Sequence, residues 1–355
     1  MIKFAVCQKG GAACRTGIKS QSMMELLFVA IALVFVSTAI IIVLLAVAGA
    51  AAAFGASFQS VFMNGLWVLV IPPLLILYGY LWGRSSIAVN RLEISSEKVP
   101  ASFDGYRIVH ISDMHLRSFR DRPRVLSRIM DMVAAENPDL IVFSGDLVTT
   151  LPDEITPFMD ELRRLRAADG VVSVMGNHDY CPYNKWESDR DRIAAVDSVR
   201  SKERALGWHL LDNAHIDLVR AGAPGGAPDT ISVIGVENIS AMKQFESHGD
   251  LAKAMSGAEG EFKILVSHDP THWRSEVLGQ TDIDLMLSGH THNAQLRLFG
   301  IEPGRLVFKE NSGLYTEKGA SGTQRLYVND GLGTTLFPAR IGVKAEITVF
   351  TLVHE

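Results

Sequence analysis

Five segments of this 355-residue chain end an apolar run in side chains that bind divalent metals. Val171-Val-Ser-Val-Met stops in Gly176-Asn177-His178-Asp179, Tyr106-Arg-Ile-Val-His-Ile-Ser112 in Asp113-Met-His115, and Asp139-Leu-Ile-Val-Phe-Ser144 in Gly145-Asp146. Phe262-Lys-Ile-Leu-Val-Ser267 stops in His268-Asp269-Pro270, and Asp284-Leu-Met-Leu-Ser288 in Gly289-His290-Thr-His292. Imidazole, carboxylate and amide oxygen suit divalent first-row ions, and without thiolate they make no structural zinc knot. The spacing Asp113-x-His115 lets two ligands reach one ion where the chain turns directly after its strand. His290-x-His292 can do likewise, or divide between two ions. Asp146, at the middle of the sheet, is placed to bridge. One Asn-His-Asp at a strand end is an ordinary turn. Five such ends are a site.

The elements that position these residues read as alternating strand and helix. Val125, Ile129, Met130 and Val133 recur at helical spacing and stop at Asn137-Pro138, and a second helical pattern runs near Asp153 to Ala168. Such alternation predicts βαβ units and a largely parallel sheet, which binds ligands outside the carboxyl ends of its strands. The Arg-rich stretch from Cys181 to Arg204 is either a solvated helix or a lid supplying cations to an anionic substrate. Short strands are expected at Trp208–Leu211, His215–Val219 and Ile231–Val236, with a flexible loop at Ala221–Pro228. Several antiparallel strands are expected between Arg305 and Leu352. Gly331-Leu-Gly333 resembles part of a dinucleotide fingerprint but lacks its strand–helix unit and its ribose-binding acid.

The first hundred residues differ in kind. No charge falls between Leu26 and Trp82, and the runs Leu26–Phe54 and Val61–Trp82 are each long enough to cross a bilayer. Trp67, Tyr78, Tyr80 and Trp82 lie towards the ends of the second run, and Pro72-Pro73 should kink it. A cleaved signal peptide is the competing reading, but the first run is too long and a second follows. Lys3, Lys9, Arg15 and Lys19 precede the spans and Arg84, Arg91 and Lys98 follow them, with no cation between. The expectation is a basic leader (1–25), a transmembrane hairpin (26–84), a linker (85–105) and a body (106–355) facing the cytoplasm at the inner membrane. Starting at Met23 or Met24 would weaken that orientation. Cys7, Cys14 and Cys181 form no disulfide framework, which fits a reducing compartment. Residues 1–98 hold seven Lys/Arg and three Asp/Glu, leaving 27 against 36, a net −9, for the rest. An acidic body argues against nucleic acid as a partner.

Motif by motif, in order, the body resembles the calcineurin-like metallophosphoesterases: Asp-x-His, Gly-Asp, Gly-Asn-His-Asp, a lone His, then Gly-His-x-His, over about residues 106–352. The resemblance implies a four-layer α/β/β/α sandwich with two divalent cations at one edge, manganese first, with iron or zinc also compatible. It implies that Asp113, His115, Asp146 and His292 hold one metal and Asp146, Asn177, His268 and His290 the other. His178 is then the acid at the leaving group, oriented by Asp179. Ser267-His-Asp-Pro270 and Gly331-Leu-Gly-Thr-Thr335 with Pro338 look like the membrane-associated branch, which includes enzymes cutting the pyrophosphate of UDP-2,3-diacylglucosamine. The implied activity is therefore phosphoester or pyrophosphate hydrolysis of a lipid-linked substrate at a membrane. A protein or nucleotide phosphatase shares the mechanism, and a non-catalytic membrane scaffold would be marked by missing ligands. Two departures stand out: Asn293-Ala294 where near relatives commonly have two glycines, and Asp330 where a basic residue is frequent.

Overall fold

A computed structural model describes residues 11–319 and 322–355, with side chains from Met23 onward. The leader cations Lys3 and Lys9, and the side chains of Arg15 and Lys19, lie outside the described residues. The described residues form two compact units, one of 11–84 with 336–342, the other of 85–319 and 322–335 with 343–355.

The first unit is helical. Helix α1 (Gly11–Ala53) is followed by α2 (Phe58–Gly65), a 3-10 turn (Leu66–Val70) and α3 (Ile71–Leu81). Pro72 and Pro73 fall in the first turn of α3, where their missing N–H groups cost nothing, and the tighter 3-10 turn precedes them. Met23–Ala53 (mean hydropathy 3.1) and Phe58–Ser85 (2.0) are long and apolar enough to cross a membrane. A soluble core helix of that composition would be buried, whereas 0% and 6% of their most apolar windows are. Gly79 and Gly83 leave room for the backbone of Arg340: a Cβ on Gly83 would collide with the Arg340 carbonyl.

The second unit is built on two six-stranded sheets. Its first strand, β1 (Ile87–Ser96), occupies the stretch expected to be a linker. It pairs along its whole length with β12 (Ala345–His354), from Ile87↔Ala345 to Ser96↔His354. Asn90, Arg91 and Glu93 interrupt its apolar residues because it is an edge strand, so its composition reads as loop. The first sheet has the order β1-β12-β2-β3-β4-β5, with β2 Arg107–Ile111, β3 Leu140–Phe143, β4 Val171–Ser173 and β5 His209–Leu210. The second comprises β6 Ala214–Arg220, β7 Asp229–Gly235, β8 Phe262–Val266, β9 Leu285–Ser288, β10 Gly313–Gly319 and β11 Gly322–Val328, in the order β10-β11-β9-β8-β7-β6. Strands β2 to β5 are parallel, as are β7, β8, β9 and β11. The tail divides: β10 and β11 form an antiparallel hairpin, while β12 runs antiparallel to β2 and parallel to β1.

Period-two alternation sorts the strand residues into layers. Val142 and Val172 of one sheet meet Ile264 and Leu285 of the other in the middle core. Ile141, Phe143 and Val171 point outward to α4 (Pro123–Ala135), which buries Leu126, Ile129, Met130 and Val133. The helix expected near Asp153–Ala168 is broken into 3-10 turns and the four-residue α5 (Met159–Leu162), because Pro152 and Pro157 cannot donate. The Arg-rich stretch contains α6 (Asp189–Ala205), whose Ala195, Val196 and Val199 pack in the same outer core. Behind the second sheet lie α7 (Leu251–Met255) and a π-turn at Trp273–Val277. The result is helix, sheet, sheet, helix, with β2, β3, β4, β8 and β9 all ending at one edge.

Candidate metal centre

The chain must turn sharply at each strand end to aim adjacent side chains at one point. Asp113, His115, Asp146, His290 and His292 all take positive φ (51°, 42°, 60°, 72° and 50°). A non-glycine residue there costs about 1–2 kcal/mol, and strain of this kind collects at functional sites. The glycines beside them permit close approach. A Cβ on Gly176 would strike the Asp146 carboxylate, and one on Gly289 would strike Asp113.

Seven of the eight strand-end side chains converge in three overlapping groups: Asp113, His115 and His292; His115, Asp146 and His178; Asp146, His268 and His290. His292 Nε2 lies 3.1 Å from both Asp113 Oδ1 and His115 Nε2. Asp146 Oδ2 stands between the sets, 3.5 Å from His115 Nε2 and 3.2 Å from His268 Nε2. His290 Nδ1 faces His268 Nε2 at 3.3 Å, and His268 Nδ1 donates to the Ser144 carbonyl at 2.8 Å, turning its other nitrogen inward. Asn177, the eighth residue, is buried. Its Nδ2 donates to Tyr183 Oη at 3.2 Å while its Oδ1 has no hydrogen-bond partner.

His178 is oriented, but not by Asp179. Its Nδ1 donates to the Thr149 carbonyl at 2.7 Å, and its backbone N–H donates to Asp146 Oδ1 at 2.8 Å. Asp179 instead accepts backbone N–H groups from Asp146 (2.8 Å), Gly176 (2.9 Å) and Val148 (3.0 Å). It ties the β3 and β4 turns together, so the sequence-based role for Asp179 is corrected. Glu154 is a further positioning residue: this buried carboxylate accepts from the Thr149, Thr150 and Leu151 backbone and so fixes the carbonyl that holds His178. No spacing signal marks a residue that acts through backbone.

Aromatic rings and two more glycines complete the rim. Tyr183 lies 4.4 Å from the His178 ring, and Phe245 and Phe308 meet His290 edge-on at 4.6 and 5.5 Å. Trp186 packs against the outer core and donates to the Cys181 carbonyl. Three of the four arginines of α6 are held in ion pairs, Arg192 with Glu246, Arg200 with Glu237 and Arg204 with Asp212. Gly331 packs on Asp113 and His292, and Gly333 on the Met114 carbonyl, so the Gly-Leu-Gly stretch is a cradle for metal-binding turns. Asn293 and Ala294 both have φ of 50°, which explains why glycine suits these positions.

Electrostatics favour cations here. Burial opposes ionisation of Asp146, but the His268, His178 and His115 imidazoles overcome it and hold the carboxylate below its usual range. Burial likewise opposes charge on His268, yet Asp146 and Asp113 push it up to about 10. Burial keeps His115 and His290 neutral, as ligands must be. The orphaned Asn177 oxygen and imidazole nitrogens facing one another at 3.1 and 3.3 Å fit an oxygen- and nitrogen-liganded metal pair.

Residues 106–294 match the calcineurin-like phosphoesterase family model. With a binuclear ligand cluster at the edge of a two-sheet sandwich, this is a metal-dependent phosphoesterase domain. The chain belongs to the calcineurin-like phosphoesterase family. It is 32% identical to a Danio rerio transmembrane protein with metallophosphoesterase domain, over 82% of this chain and 63% of that protein. It therefore spans less than two thirds of that relative's length. It is 31% identical to a Bacillus subtilis metallophosphoesterase, over 73% of this chain and 83% of that protein. A UDP-2,3-diacylglucosamine pyrophosphatase of Chlamydia trachomatis is 26% identical, over 70% and 84% of the two chains.

Proposed function

We propose that this protein is a membrane-anchored phosphoester or pyrophosphate hydrolase that cuts a lipid-linked substrate, of the kind UDP-2,3-diacylglucosamine represents, at the cytoplasmic face of an inner membrane. The observation that carries this reading is an intact ligand cluster on the same chain as two apolar, outward-facing helices. Only residues 82–86 separate α3 from β1, so the tether is far shorter than a 20-residue linker. A lipid confined to the leaflet gains effective concentration from such tethering, and a soluble nucleotide gains none. The relative from Chlamydia supports the substrate class.

In this reading Asp113, His115 and His292 hold one cation, Asn177, His268 and His290 the other, and Asp146 both. Manganese is the first choice. When bound, the pair supplies Lewis-acid stabilisation of phosphoryl charge and an activated water. The chain supplies the rest. Thr149 accepts the Nδ1–H of His178 and so aims Nε2 into the site, from which the imidazolium form would donate to the leaving oxygen. Tyr183, whose Oη accepts from Asn177 Nδ2, packs against that ring. The purified chain in lipid vesicles should cleave a diacylated UDP-sugar with a higher kcat/KM than its deacylated form. Equal values for the two would remove the lipid-linked reading and leave a general phosphoesterase.

A further inference from the structure

After His292 the chain runs outward, and it returns to the metal centre at Phe308, whose ring meets His290. Between them Leu298 and Ile301 exchange backbone hydrogen bonds, with Phe299 (φ 52°) and Gly300 (φ 79°) at the tip of a tight hairpin. Asn or Asp usually takes such a tip position, and here it is phenylalanine. Phe299 is 102% exposed, Leu306 90%, Ile301 69% and Val307 63%. Half of the eight exposed large apolar side chains among the described residues of the catalytic unit thus fall within nine positions. Single exposed apolar residues need no explanation, but a cluster marks an interaction site.

The loop is fixed at its base. Asn293 Nδ2 donates to Glu302 Oε1 at 3.3 Å, and Asn311 Nδ2 donates to Asn293 Oδ1 at 2.5 Å. Its charge differs from that of the acidic body: residues 296–309 carry Arg297, Arg305 and Lys309 against Glu302 alone. Glu302 holds both arginines beside the apolar tip.

We propose that residues 296–309 are an interfacial membrane anchor. Phe299, Ile301, Leu306 and Val307 enter the acyl boundary of an anionic leaflet, while Arg297, Arg305 and Lys309 meet its phosphates. A second copy of the chain would set like charges against each other, which disfavours self-association through this patch. Tethering by the helices makes even a small insertion effective. Phe299 lies seven positions beyond His292, so the tip lies within about 25 Å of that ligand along the chain, at ~3.3–3.6 Å per residue. The anchor would present the metal centre to the bilayer surface. This inference rests on the proposed membrane attachment and not on the identity of the substrate.

The test uses the full chain with Cys7→Ser and Cys14→Ser, Cys181 being buried. Leu306→Cys carries an environment-sensitive NBD fluorophore, and Val219→Cys on β6, 61% exposed, is the control. In phosphatidylglycerol-containing vesicles, shallow doxyl-labelled lipid should quench the label at 306 and leave that at 219 unquenched. Equal, aqueous emission at both positions overturns the anchor. A blue shift at 306 without lipid quenching also overturns it, and points to a second copy or another protein. Phe299→Asp with Leu306→Asp should raise KM for a vesicle-borne diacyl ester by roughly tenfold and leave cleavage of soluble p-nitrophenyl esters unchanged. Quenching at 306 alongside equal cleavage of diacylated and deacylated substrates would keep the anchor and reject the lipid-linked substrate.

Discussion

His178 and Asp179 are neighbours in sequence with separate tasks. The ring of His178 faces the ligand cluster from a hydrogen bond to Thr149, so His178→Ala should keep the metals and lower kcat, most for poor leaving groups. Asp179 satisfies three buried backbone donors, each costing about 1–3 kcal/mol when orphaned. Asp179→Ala should therefore lower stability by several kcal/mol, read by denaturant unfolding. A full loss of activity at unchanged stability would return Asp179 to the role of His178's partner. The side chains that converge at the sheet edge were legible because each ends an apolar run at a set spacing. The role of Asp179 was not legible, since its partners are backbone groups of turns that only the fold brings together.

At the scale of elements, the parallel centre of each sheet followed from its buried runs, Leu140–Phe143 and Ile264–Val266 among them. Strand β1 escaped notice because an edge strand interleaves polar residues and resembles a linker. The Gly331–Gly333 cradle was visible as a motif, but its purpose needed the contacts with Asp113 and His292. The Thr149–Leu151 turn is an element held by one side chain, Glu154. Glu154→Gln offers one acceptor oxygen in place of two and puts an amide donor against a backbone donor. Metal content should hold while kcat falls, because the carbonyl that orients His178 shifts. Unchanged kcat at wild-type metal loading would show that the turn does not position the histidine.

The whole molecule carries its acid sensitivity in buried imidazoles. Burial lowers His272 from 6.5 to about 4, with the Asp269 carboxylate opposing, and Ser267 Oγ lies 2.9 Å from its Nδ1. The unfolded chain takes up a proton below pH 6.5 that the folded chain refuses until about 4. Stability should fall across that window by about 3 kcal/mol from this residue, and His272→Asn should flatten the fall; an unaltered slope would contradict the assignment. At this scale the central claim is a binuclear centre that shares one carboxylate. The direct measurement is metal content per full-length chain by mass spectrometry, beside phosphodiesterase activity, for the wild type and Asp146→Ala. Two ions per chain in the wild type, with at least one ion and the activity lost in the variant, is the predicted result. Two ions and full activity retained in Asp146→Ala would contradict it.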